Sequence, residues 1–117
     1  MRNVDIDFET GYEYVKISIR TEKHEYAITI WRSMFGPPPA TITIDGYSFY
    51  TRNKLETYLN AIMSGDENKI EYMKKLAKTG LNADKHCHFD EKRLMEAYMM
   101  KKIIMMQISL NLLIFYS

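Results

Sequence analysis

The chain has one cysteine, Cys87, in 117 residues. No internal disulfide can form, which fits a reducing compartment. Glycine is scarce, at five residues. That leaves little material for a phosphate-cradling loop, and no G-x-S-x-G, H-E-x-x-H or dinucleotide-binding pattern occurs. With no catalytic motif and no cofactor-binding motif, an enzyme is not the expected class. Net charge is almost absent: sixteen Lys and Arg against fifteen Asp and Glu leave +1. Bulk attraction to nucleic acid or to an anionic membrane is excluded, and so is bulk acidic mimicry of DNA. The start, MRNVDIDFETG, has no apolar stretch of the signal-peptide kind. A cytoplasmic protein is expected, in a bacterial host cell, since frequent Lys, Ile, Asn, Tyr and Met with few Ala and Gly fit an AT-rich bacterial or phage genome.

Apolar residues make up 46% of the chain and charged residues 26%, the balance of a folded protein. The length suits one α+β domain over 1–117, with a β half at 1–50 and a helical half at 51–117. In YEYVKISIR, Tyr12, Tyr14, Lys16, Ser18 and Arg20 alternate with Glu13, Val15, Ile17 and Ile19. Period two with one apolar face predicts a half-buried strand. YAITIWR predicts its hairpin partner. Pro37, Pro38 and Pro39 then interrupt the sheet with a stiff extended segment. Asp45-Gly46 predicts a tight hairpin between strands at Thr41–Ile44 and Tyr47–Tyr50. The period next lengthens to 3.6. Leu55, Tyr58, Leu59, Ile62 and Met63 stripe a first helix, with Thr51 or Asn53 as its cap and Ser64-Gly65 as its end. A second helix starts near Asp66, carries Ile70, Met73, Leu76 and Ala77, and closes at Gly80. Asp90 caps a third, running from Glu91 to about Phe115. The expected architecture is a four-stranded antiparallel sheet followed by three helices on one face.

The third helix ends in fourteen uncharged residues, Ile103–Tyr116. As a helix that run is roughly 21 Å long, short of the ~20 apolar residues that cross a bilayer, so no membrane span is expected. Met99, Ile103, Met106, Leu110 and Leu113 step by four, three, four and three, a coiled-coil seam. Met100, Ile104, Ile108, Leu112 and Phe115 form a second apolar row. Such a helix is either a central core helix wrapped by the rest of the domain, or the interface of a homodimer or partner complex. Its methionines make an adaptable surface.

Three groups of residues carry possible chemistry. Tyr12, Tyr14, Arg20, Trp31, Arg32, Met34 and Phe35 are the residue types of protein-binding hot spots, and they are the expected partner-binding set. Lys16, Arg20, Lys23 and Arg32 beside the same tyrosines form an alternative, a sheet face that stacks bases and contacts phosphates. His86, Cys87 and His88 are metal-ligand and nucleophile types. A zinc site draws on separated ligand pairs, however, and only His24 remains elsewhere. A polar loop is the simpler expectation there. In size and composition the chain is similar to small phage or mobile-element proteins that bind and block one host or defence factor, anti-CRISPR proteins included. That similarity of build implies a stoichiometric, non-enzymatic inhibitor.

Overall fold

Period-two alternation runs through five strands rather than four. The structure, a computed structural model, describes residues 4–116. Its elements are β1 (Asp5–Thr10), β2 (Tyr14–Arg20), β3 (Glu25–Trp31), β4 (Ala40–Ile44), β5 (Tyr47–Thr51), α1 (Leu55–Ser64), α2 (Glu67–Thr79) and α3 (Glu91–Tyr116). The strands pair in sequence order as an antiparallel meander. The additional strand is DIDFET. Its acids disfavour a strand by propensity, yet Ile6 and Phe8 alternate with Asp5, Asp7 and Glu9 and align with Ile19 and Ile17 of β2.

Register places one apolar face across the whole sheet. Ile17 lies opposite Ile28, Ile28 opposite Ile42, and Ile42 opposite Phe49. Asp45 and Gly46 both take positive φ, 51° and 90°, as the tight turn between β4 and β5 requires. Helices α1 and α2 cover this face over β3, β4 and β5. Tyr58, Ala61 and Ile62 of α1 and Ile70, Tyr72, Met73 and Leu76 of α2 are buried with Tyr26, Ile28, Ile42, Ile44 and Phe49. Met63, expected in the buried stripe, is 77% exposed at the edge of the α1 arc. Neither Thr51 nor Asn53 caps α1: the N-cap position falls on Lys54, whose side chain makes no capping bond. Lys54 N–H donates to Thr51 Oγ1 at 3.2 Å, and Asp84 receives the neighbouring backbone groups.

The third helix differs from the expectation of three helices packed on one face. Asp90 caps it as anticipated, accepting from Arg93 N–H at 3.2 Å. Phe89, at φ 60°, carries left-handed backbone strain rare for a bulky residue. Its ring is wedged near Tyr58 and Tyr72, with centroids 5.9 and 5.2 Å away, and this packing holds the strained turn. Leu94 is fully buried. From Met99 to Phe115 every residue is exposed. The helix is thus not a core helix of its own domain. Its 26 residues extend about 39 Å without a break, whereas a six-residue strand spans about 20 Å. It leaves the domain and stretches the molecule to 58 × 34 × 22 Å.

A buried imidazole joins three elements. His24, 8% exposed, sits between β2 and β3 with Nδ1 2.6 Å from Asp45 and Nε2 2.9 Å from Glu67 at the start of α2. Lys74 completes the cluster, 3.3 Å from Asp45. Only the doubly protonated ring can donate to both carboxylates. Burial lowers the His24 pKa, but the hydrogen bonds and charges of Asp45 and Glu67 outweigh it and the net shift is upward. Asp45 moves the other way: burial raises it, and its bonds from Glu25 N–H, His24 and Lys74 bring it below the usual carboxylate value. The stabilisation from His24 is therefore full below an unfolded pKa of about 6.5 and is lost as pH rises through the elevated folded value. His24→Gln should cost about 2 kcal/mol near pH 6 and clearly less in mildly alkaline solution. Urea denaturation of both proteins across that range checks this; an equal deficit at every pH would show that the ring is not charged in the fold.

Candidate functional site

The two ends of the sheet divide the residues singled out by the sequence. At one end the β1–β2 turn meets the β3–β4 connection. Arg32 N–H donates to Glu13 O at 2.7 Å, tying the two segments together, and Trp31 N–H donates to Pro39 O at 2.9 Å, closing the base of the β3–β4 connection. Tyr14 and Trp31, cross-strand neighbours, place their rings 5.5 Å apart. Tyr14 also donates to Glu9 at 2.9 Å, and that bond, with the Glu9 charge, raises the phenol pKa. Its ring lies over Gly11, where a Cβ would come within 2.1 Å of it. An apolar groove of about 370 Å³ results, lined by Tyr12, Tyr14, Val15, Trp31, Arg32 and Pro38 among others. Beside it Met34 and Phe35 project from the loop, 85% and 84% exposed, over a turn in which Ser33 Oγ donates to Phe35 O at 2.8 Å.

Six of the seven expected partner-binding residues thus gather at one end. Arg20 does not. It closes the far end of β2, roughly 20 Å away, and pairs with Glu25 at 3.1 Å.

The basic residues fare differently, because β1 lies beside them. Lys16 is directly across from Glu9 and Arg20 from Asp5, with Asp7 between them across from Ser18. Opposite charges alternate over this part of the face. Lys23 belongs to the β2–β3 turn and Arg32 to the other end of the sheet. Lys16, Arg20, Lys23 and Arg32 therefore do not merge into one basic patch. The acidic alternation of DIDFET was the signal for this, and it points to a strand only once its partner is known.

In the loop after α2, Asp84 is a clamp. Its carboxylate accepts from Thr51 Oγ1 and from the N–H groups of Arg52 and Asn53 at 3.2 Å each. Burial raises the Asp84 pKa, but these bonds pull it below the ordinary value. The His86 carbonyl accepts from Tyr72 OH at 2.6 Å. The half-buried Cys87 packs against the core with Sγ 3.7 Å from Asp84 O. His24, the remaining histidine, is engaged by Asp45 and Glu67. Among the described residues no group of three His, Cys, Asp or Glu side chains is placed to hold a metal ion.

The seam of α3 is intact and open. Ile103, Met106, Leu110 and Leu113 line one side of the helix, bordered by Gln107 and Ser109. Exposures run from 49% at Ile103 to 71% at Met106 and Leu113. By length and composition alone, the stretch Glu91–Phe115 is also long and apolar enough to cross a membrane. Charged Lys101 and Lys102 interrupt it, and Lys101 reaches back to Gly80 O at 3.3 Å.

Compared with known proteins, the chain matches no family model, no curated protein and no solved structure.

Asp84→Ala should destabilise the fold by about 1–2 kcal/mol, because it removes the acceptor of the buried Thr51 hydroxyl. Asp84→Asn, which keeps an acceptor oxygen, should cost less. Denaturant midpoints of the two variants give the comparison. Wild-type stability in Asp84→Ala would mean that the loop is held without the carboxylate.

Proposed function

We propose that the protein is a non-enzymatic binding protein that works as a homodimer and acts stoichiometrically on a larger cytoplasmic protein, as an inhibitor or adaptor. One observation carries this reading. A domain with a well-formed core leaves separate apolar surfaces uncovered, among them the α3 seam and the aromatic end of the sheet. Exposed apolar patches of this size mark interaction sites. The seam is self-complementary, and Met99, Ile103, Met106, Leu110 and Leu113 pair most simply across a twofold axis. Tyr12, Tyr14, Trp31, Arg32, Met34 and Phe35 then form the partner surface. Tyr14 and Trp31 are pre-positioned by the sheet, and the following prolines reduce the entropy lost on binding. The balanced charge around Lys16 and Arg20 favours a protein partner over nucleic acid. The similarity in build to small phage inhibitors agrees with a blocking role.

Light scattering on a sizing column tests the assembly. The wild type should run as a dimer and Met106→Glu/Leu110→Glu as a folded monomer. Both residues are exposed, so the monomer should keep its thermal transition. A monomeric wild type would sink the homodimer. Flotation of the wild type with phosphatidylcholine vesicles, with the double variant left in solution, would assign α3 to lipid instead. For the partner surface, nuclease-treated host lysate should yield a protein held by the wild type at low and high salt. Trp31→Ala/Phe35→Asp should lose it. Loss on nuclease treatment or at moderate salt would favour the nucleic-acid alternative.

A further inference from the structure

The apolar face of the sheet is wider than its cover. Helices α1 and α2 bury its β3–β5 part, while on β1 and β2 Ile6, Phe8 and Val15 stay 53%, 71% and 38% exposed. These residues share the core face, since Ile6 and Phe8 align with Ile19 and Ile17, which flank the buried Tyr26 and Ile28. Ile17 and Ile19 are only partly buried. The result is a shelf two strands across and six to seven residues long. That is about 10 Å by 20 Å, the footprint of one short helix, whose diameter with side chains is about 10–12 Å.

The same chain carries a helix with too much apolar surface. At 100° per residue the seam and the second row of α3 lie about 160° apart, on opposite sides. A dimer through the seam alone leaves Met100, Ile104, Ile108 and Leu112 outward, each 50–58% exposed. At roughly 100 Å² for each half-exposed aliphatic side chain, the five-residue seam offers on the order of 500 Å² per copy. A standard stable interface takes about 800 Å² per partner. The second row adds about 400 Å² by the same rate and closes the gap. From Met100 to Leu112 it is about 20 Å long, the length of the shelf.

The geometry points to a second copy of this chain as the occupant: the second row of α3 seats on the β1–β2 shelf of the partner copy while the seams pair, so that each α3 lies between the other α3 and the other sheet. This deepens the proposed function and rests on its α3 dimer. The helix has no glycine or proline between Glu91 and Tyr116 and is exposed along its whole length from Met99 to Phe115, so it cannot turn back onto its own shelf without a break. A second copy reaches the shelf with both helices unbroken. Acidic Asp5, Asp7 and Glu9 protect the open edge of β1 from strand pairing, which leaves the shelf face as its docking surface.

The test uses two full-length single-cysteine proteins, each in a Cys87→Ser background, one with Phe8→Cys and one with Ile108→Cys. Mixed and oxidised, they should form a Phe8→Cys–Ile108→Cys disulfide dimer several-fold in excess over either self-linked species. Phe8→Asp, at a position exposed in the single chain, should weaken dimerisation at least tenfold without shifting the monomer's unfolding. Suppose instead that the wild type is a dimer, Met106→Glu/Leu110→Glu is a monomer, no mixed disulfide forms and Phe8→Asp is neutral. Then the shelf contact is overturned and the seam dimer stands. If the wild type is monomeric at every concentration, both fall. A protein carrying both cysteines that links to itself at monomer mass would show α3 folded back on its own sheet, which also overturns the exchange.

Discussion

Everything distinctive about this molecule follows from a mismatch of areas. A five-stranded sheet presents one continuous apolar face, and the two helices that follow it cover the three later strands but β2 only in part. The third helix does not cover the rest: it runs unbroken for 26 residues and is exposed from Met99 to Phe115. The domain is therefore well packed at its centre and unsatisfied at two borders. Both borders are built of residues with enough apolar area to bind something, and hydrophobic burial is roughly proportional to area.

The polar groups that resemble chemistry are mostly fastenings. His24, Asp45 and Glu67 tie a β-turn, a hairpin tip and the start of α2 into one cluster. Asp84 fastens the loop after α2 to the segment that leads into α1. Tyr58 and Tyr72 donate to carbonyls of that same loop. Each fastening satisfies a buried polar side chain, the His24 ring, the Thr51 hydroxyl or the Tyr58 and Tyr72 phenols, and buried polar groups are stable only when paired. The His-Cys-His stretch is part of this loop, and its role in the fold is to present carbonyls and to set the approach to α3.

Charge is arranged across strands. The basic residues of β2 meet the acids of β1 and Glu25 of β3. Cross-strand opposite charges cancel the local field while keeping the edge strand soluble. What remains for recognition is aromatic and apolar, concentrated where Tyr14 and Trp31 meet and where Met34 and Phe35 project.

Local features were legible in the sequence because their causes are local. Alternation in YVKISIR and YAITIW, the Asp45-Gly46 turn, the stripes of α1 and α2, and the caps at Asp90 and Gly80 all depend on neighbours within a few residues. The β1 strand was not legible. Its acids argue against a strand until β2 supplies the partner that makes the alternation meaningful. The aromatic cluster was half legible: the residue types were evident, and their assembly at one end, with Arg20 left at the other, needed the register. The sequence by itself determined an α+β chain with an oversupply of apolar surface at its end, because composition and period are properties of the chain alone. Only the tertiary structure decided that this surface stays uncovered, with an empty shelf of matching size on the first two strands. Coverage depends on which elements run out of partners once all of them are placed in space.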